Sequence, residues 1–201
     1  MKTEIIPASE IQTAMNVLRN SGIVAFPTDT VYGLGALAFD NTAIESIYTA
    51  KNRPIEKAIP ILIGDLCDLE KVGDNIPDMA LRFAVRFWPG PLTCIIPKKL
   101  TLPLAVSATA TVAVRIPDHA DARALLRATG PMAVTSANIS GGANPSSAQE
   151  VYGQLKDRIP LILDGGKTQG GVPSTLVDCT GKIPLILREG PISLADLMSL
   201  L

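Results

Sequence analysis

Four short runs of this sequence gather residue types that can do chemistry. The first is Phe26-Pro27-Thr28-Asp29-Thr30-Val31-Tyr32-Gly33-Leu34-Gly35, in which two hydroxyls, a carboxylate and a phenol follow the apolar run Ile23-Val24-Ala25-Phe26. That run reads as a buried strand, and Pro27, with no N–H to give, ends it. Polar side chains at a strand end build pockets in α/β proteins. They also build plain polar turns with capping hydroxyls, and the segment alone fits both. The second run is Lys51-Asn52-Arg53, followed by Lys57. Two long cations at alternate positions of an extended segment face one way and could clamp a polyphosphate. Cations at a helix C-terminus also simply complement its dipole.

The third is Arg115, which ends the apolar run Val112-Ala113-Val114. A buried guanidinium is costly without an anion. Arg115 therefore either faces solvent at the strand end or receives a carboxylate or phosphate. The fourth is Thr135-Ser136-Ala137-Asn138-Ile139-Ser140-Gly141-Gly142. In an extended segment Ser136 and Asn138 share a face, and a hydroxyl, an amide and a glycine-rich turn can cradle phosphate or ribose. A Ser/Asn/Gly turn is the plainer alternative.

Other chemistries are excluded. Gly33-x-Gly35-x-x-Ala38 spells a dinucleotide fingerprint, but Asp40-Asn41-Thr42 separates it from the next helix. The glycines are read as shaping a loop. No GxxxxGK[ST] or GxSxG run occurs, and the single histidine, His119, leaves Ser136 without a triad partner. One histidine and three scattered cysteines make no transition-metal site, so any metal is Mg²⁺ carried on phosphates.

Alternating strands and helices must position these runs. Ser9 with Gln12, Thr42 with Glu45, and Ser147 with Glu150 suit helix starts of the capping-box kind; Asp118 and Ser193 open two more helices. A further helix is predicted over 77–87. Strands are predicted at 23–26, 59–63, 92–96, 112–116, 132–135, 161–163, 176–179 and 185–187. The alternation gives an α/β fold, and the short late connections require mixed parallel and antiparallel pairing.

The chain of 201 residues suits a single domain over 1–201, with ample apolar content (47%) and a net charge of −1 that argues against wholesale binding to nucleic acid or membrane. Cys67, Cys94 and Cys179 are odd in number and unspaced for ligation, which points to reduced thiols and a cytoplasmic location. No apolar run is long enough to span a bilayer, and the first residues lack a signal-peptide core.

Taken together the motifs resemble the YrdC-like threonylcarbamoyl-AMP synthases across nearly the whole chain. The resemblance rests on the 27–35 segment, Lys51-x-Arg53-Pro54, Trp88-Pro89-Gly90-Pro91-Leu92-Thr93, Val112-Ala113-Val114-Arg115, Ser136-Ala137-Asn138-x-Ser140-Gly141, Asp164-Gly165-Gly166, Ser174-Thr175-x-x-Asp178 and Leu187-Arg188-x-Gly190. It implies a twisted open mixed sheet flanked by helices, with a concave basic cavity. It implies a nucleotidyltransferase that condenses L-threonine, bicarbonate and ATP with Mg²⁺ into threonylcarbamoyl-AMP and pyrophosphate. The product serves modification of adenosine 37 in tRNA, and tRNA and a downstream threonylcarbamoyl-transferase complex are the implied partners. By the same resemblance Thr30, Arg115, Val134 (through backbone) and Ser174 hold threonine; Arg53, Lys57, Thr111, Ser136, Asn144 and Arg188 hold ATP; and Lys51, Arg53, Ser136 and Asn138 form the catalytic tetrad. Some members carry Asn at the position of Lys57 and a threonine-touching His at that of Leu62, where this chain has no hydrogen-bonding group. The competing class is a non-catalytic module of the same fold that binds tRNA or double-stranded RNA.

Overall fold

The structure, a computed structural model, describes residues 2–168 and 172–201. One ten-stranded sheet runs through it. Its strands in chain order are β1 (Glu4–Pro7), β2 (Val24–Phe26), β3 (Gly33–Leu37), β4 (Ile61–Leu62), β5 (Leu92–Pro97), β6 (Thr111–Arg115), β7 (Met132–Ser136), β8 (Leu161–Asp164), β9 (Thr175–Asp178) and β10 (Leu185–Arg188). Across the sheet they lie β1-β8-β2-β3-β7-β4-β6-β5-β9-β10. β1, β8 and β2 run parallel, as do β4 with β6 and β5 with β9; the other neighbours are antiparallel. The helices are α1 (Ile11–Arg19), α2 (Asn41–Lys51), α3 (Leu69–Val72), α4 (Asp78–Phe87), α5 (Ala120–Thr129), α6 (Ala148–Leu155) and α7 (Leu194–Met198).

The period of two along the strands sorts side chains into two cores. Val24 and Phe26, Met132 and Val134, and Leu161 and Leu163 join α1 (Ala14, Leu18) and α5 (Ala122, Leu125, Leu126) in the smaller core. Ala25, Ala133 and Ile162, from the alternate positions, join the buried faces of α2, α4, α6 and α7 in the larger one.

The expected loop at Gly33 and Gly35 is instead strand β3, antiparallel between β2 and β7. Glycine is a poor strand former, which hides the element in the sequence. Packing dictates it. A Cβ on Gly35 would lie 2.9 Å from Met132 Cε and 3.0 Å from Phe26 Cε1, and one on Gly33 would lie 2.7 Å from Val134 Cγ1. The neighbours' side chains fill the space that β3 leaves.

Three helix starts also differ from expectation. α1 is capped at Glu10 with no side-chain hydrogen bond, so the Ser9–Gln12 box does not form. Asp40, not Thr42, caps α2 by accepting from the Ala43 N–H at 2.9 Å, and Glu45 accepts from Asn41 Nδ2 instead. α5 begins at Ala120 with His119 as its cap, two residues after Asp118. Ser147 caps α6 as expected, but the Glu150 carboxylate accepts from the Ser146 N–H and hydroxyl, so its box is half formed; Ser193 caps α7 with a full box to Asp196.

Candidate active site

Alternate positions along the strands, among them Thr93 and Ile95 on β5 and Thr111, Ala113 and Arg115 on β6, line one face of the sheet, and with the loops around that face they surround a cavity of about 500 Å³. Of the expected site residues, Thr30, Arg53, Thr111, Arg115, Val134, Ser136, Asn144, Ser174 and Arg188 all line it; Lys51, Lys57 and Asn138 do not. Three guanidiniums and no carboxylate are among its lining side chains.

Arg115 stands at the end of β6 with 5% of its surface exposed. It does not wait empty for an anion. Nη2 pairs with Asp29, Nη1 donates to Thr30 Oγ1 at 3.2 Å, and Nε donates to the Gly90 carbonyl at 2.9 Å. Burial pulls its pKa below the ordinary arginine value, and the Asp29 charge opposes that. Thr28 fixes the turn that carries these groups: its hydroxyl donates to the Val31 carbonyl at 2.7 Å and lies 3.1 Å from Thr30 Oγ1. Thr28 and Thr30 therefore both cap the turn and line the pocket, while Asp29 between them does not line it.

Beside it, Thr93 on β5 and Ser174, just before β9, share a hydrogen bond of 2.6 Å between hydroxyls. Arg188, at the end of β10, donates to the Ser174 carbonyl at 2.9 and 3.1 Å and reaches Ser174 Oγ at 3.2 Å. Leu62 faces the cavity opposite Arg115 in the β4–β6 register, and with Val134 it carries the smaller core up to the cavity wall.

The other wall is built after α2. Arg53 is braced by carbonyl oxygens alone, Nε to Lys57 at 3.1 Å and Nη2 to Ala58 at 2.8 Å. Tyr48 supports the same turn through Lys57 O and Ala105 O. Lys57 thus contributes its backbone, while its exposed side chain lies off the cavity. Lys51, 1% exposed, points into the protein and donates to the carbonyls of Ser136 and Asn138. Burial, and secondarily Arg53, pull its pKa from 10.5 down to about 7. The Asn138 amide closes the following turn by donating to Ile139 O and Gly142 O, both at 2.8 Å, and its Oδ1 is buried without a partner. Lys51 and Asn138 shape the end of β7 from behind; Ser136 faces the cavity.

Three features of the site have no assignment from the sequence. Asp29 has a partner 86 residues away, and nothing local signals it. Ser107 and Thr109 line the cavity and relay hydroxyl contacts of 2.9 and 3.2 Å to Thr111; the threonine-rich loop between β5 and β6 is their signal. Tyr32 is fully buried and donates to Gly166 O at 2.7 Å, which moors the loop after β8; burial, the largest cause, pushes its pKa up to about 12.

Comparison with known proteins bears on this geometry. A family model for Sua5/YciO/YrdC proteins, described as telomere recombination, matches residues 16–190. A threonylcarbamoyl-AMP synthase of Bacillus subtilis is 44% identical over 187 residues, covering 92% of this chain, and one of Pyrococcus abyssi is 42% identical over 196 residues, covering 96%. This chain spans only 54% and 58% of those two proteins' lengths. The crystal structure of P. abyssi Sua5 complexed with L-threonine matches with a TM-score of 0.92 at 41% identity, over 99% of this chain and 59% of that one. With a family model over residues 16–190 and relatives above 40% identical across most of its length, the chain belongs to the Sua5/YciO/YrdC family.

Proposed function

We propose that the chain is an L-threonylcarbamoyladenylate synthase, a nucleotidyltransferase acting on L-threonine, bicarbonate and ATP. One observation carries the reading: a nearly buried guanidinium, Arg115, opens onto a cavity beside the hydroxyls of Thr30 and Ser174. Three of its five N–H donors are used internally, and the remaining two suit the carboxylate of an amino acid. Thr30, Ser174 and the Val134 backbone complete the threonine subsite. Relatives named threonylcarbamoyl-AMP synthase, and a threonine complex of a 41% identical structure, support the choice of amino acid.

The nucleotide takes the remaining wall. Arg53, Ser136, Asn144, Thr111 and Arg188 meet phosphates and ribose; Lys57, expected among them, braces Arg53 through its carbonyl while its side chain lies off the cavity. The lining has no carboxylate, and the described residues form no cluster of three or more metal-ligating side chains. Mg²⁺ would enter with ATP, and its charge would offset that of the phosphates. Threonine and bicarbonate lose water to give a carbamate, and the proton of the former ammonium group passes to solvent. A carbamate oxygen then attacks the α-phosphorus, the bond to the bridging oxygen breaks, and pyrophosphate leaves. The nucleophile is already anionic, so the step asks the chain for positioning and charge stabilisation, not for a general base. Lys51 and Asn138 serve by holding the 136–142 turn in place.

No helix among the described residues is long and apolar enough to cross a membrane. We place the protein in the cytoplasm, passing its adenylate to a tRNA-modifying transferase. The test is incubation with ATP, L-threonine and bicarbonate, following pyrophosphate and threonylcarbamoyl-AMP. Pyrophosphate release that does not depend on threonine would refute the assignment.

A further inference from the structure

Asp29 sits where it can govern the amino-acid subsite without touching the ligand. Arg115 lines the cavity and Asp29 does not. Among the described residues Asp29 is the one carboxylate within 4 Å of the Arg115 guanidinium. The other two groups that hold it, Gly90 O and Thr30 Oγ1, are neutral. Arg188 is near enough for its positive charge to be felt at Arg115. Without Asp29 the guanidinium would keep two neutral acceptors, an unbalanced buried charge and a repelling neighbour, and nothing would fix Nη2.

We propose that Asp29 is a positioning residue: its carboxylate holds Arg115 so that the two remaining N–H donors are presented to the carboxylate of the amino-acid substrate. This rests on the reading of the cavity as a threonine site. It adds that affinity for the amino acid, and not for the nucleotide, depends on an acid outside the cavity wall. Position and charge separate in the conservative variant. In Asp29→Asn the amide oxygen still accepts from Nη2, whereas alanine offers no acceptor and the serine hydroxyl, one bond nearer the backbone than a carboxylate oxygen, falls short of it.

The test has two readouts. In threonine-dependent pyrophosphate release, Asp29→Ala raises the KM for L-threonine by at least about tenfold, as loss of a charge-assisted hydrogen bond implies. The KM for ATP stays within about twofold, and Asp29→Asn recovers most of the threonine affinity. Independently of any substrate, the Arg115 Nε–H resonance, identified by its loss in Arg115→Ala, exchanges with solvent about tenfold faster in Asp29→Ala than in the parent protein. Asp29→Ser serves in both measurements if the alanine variant does not fold. An unchanged threonine KM, an equal rise in both KM values, or an unchanged exchange rate overturns the proposal. If the parent protein shows no threonine dependence at all, the functional reading falls, and the exchange rates still decide whether Asp29 fixes Arg115.

Discussion

Arg115 and Arg53 line one cavity and are held in opposite ways. Arg115 ends a central strand, is nearly buried, and has its charge matched by Asp29. Arg53 follows a helix, is partly exposed, and is braced only by the carbonyls of Lys57 and Ala58. The first arrangement is charge-neutral, so what it recognises is decided by the direction of the remaining N–H groups. The second leaves its positive charge uncancelled, which attracts polyanions over a longer range and weakens with salt. Under the proposed function, the cavity would sort an amino acid from a nucleotide by how each cation is compensated.

The hardest test of the contrast is Arg115→Ala. Truncating one partner of a buried, hydrogen-bonded charge pair between protein and ligand costs about 2–5 kcal/mol of affinity. Threonine affinity should therefore fall roughly a hundredfold or more while ATP affinity changes little; comparable losses for both ligands, measured by separate titrations, would break the distinction.

Lys51 sharpens it from the side of stability. Its pKa lies at about 7 in the folded protein against 10.5 ordinarily. Between those values the unfolded chain binds the extra proton, so this group's contribution to stability grows as pH rises through the window and is least below pH about 7. Urea unfolding of the parent and of Lys51→Met, compared from pH about 7 to pH about 10, should show the parent gaining by a few kcal/mol at most. A difference that stays flat with pH would mean that the two carbonyl acceptors keep the ammonium charged.

Arg53→Ala should raise the KM for ATP about tenfold, leave that for threonine unchanged, and flatten the salt dependence of ATP binding. A threonine effect of equal size would show that the two walls act as one. The smallest change comes from Ser174→Ala. It removes a hydroxyl shared by Thr93 and Arg188 and should cost about fivefold in threonine KM, with a lesser effect on ATP. The reverse order would move Ser174 to the nucleotide wall.

What the sequence discloses depends on how local the cause is. Arg115 announces itself, because a guanidinium closing an apolar strand conflicts with its surroundings, and Ser147 and Ser193 announce their helices through contacts three residues long. Strand β3 is silent, since the reason for its glycines lies in Phe26, Met132 and Val134 on neighbouring strands. Asp29 is silent for the same reason. β1 gives no signal because its residues are mostly exposed and show no buried alternation. Lys51 is legible as a cation of consequence but not in its direction: the same residue type clamps a phosphate or a carbonyl turn, and only the docking of the 136–140 segment on the end of α2 decides which.

The pairing of β1 with β8 has a consequence for how the protein is made. Glu4 aligns with Leu161, and Val24 on β2 aligns with the same residue from the other side. β1 therefore has no lateral partner until β8 has been synthesised, and β8 is itself the strand that joins β1 to the rest. At roughly 5–20 residues per second the wait is on the order of ten to thirty seconds. Through that interval the nascent chain exposes the unpaired edge of β2 and the apolar side chains meant for the smaller core. Chaperone occupancy, sampled on ribosomes stalled at successive lengths, should drop once β8 clears the exit tunnel.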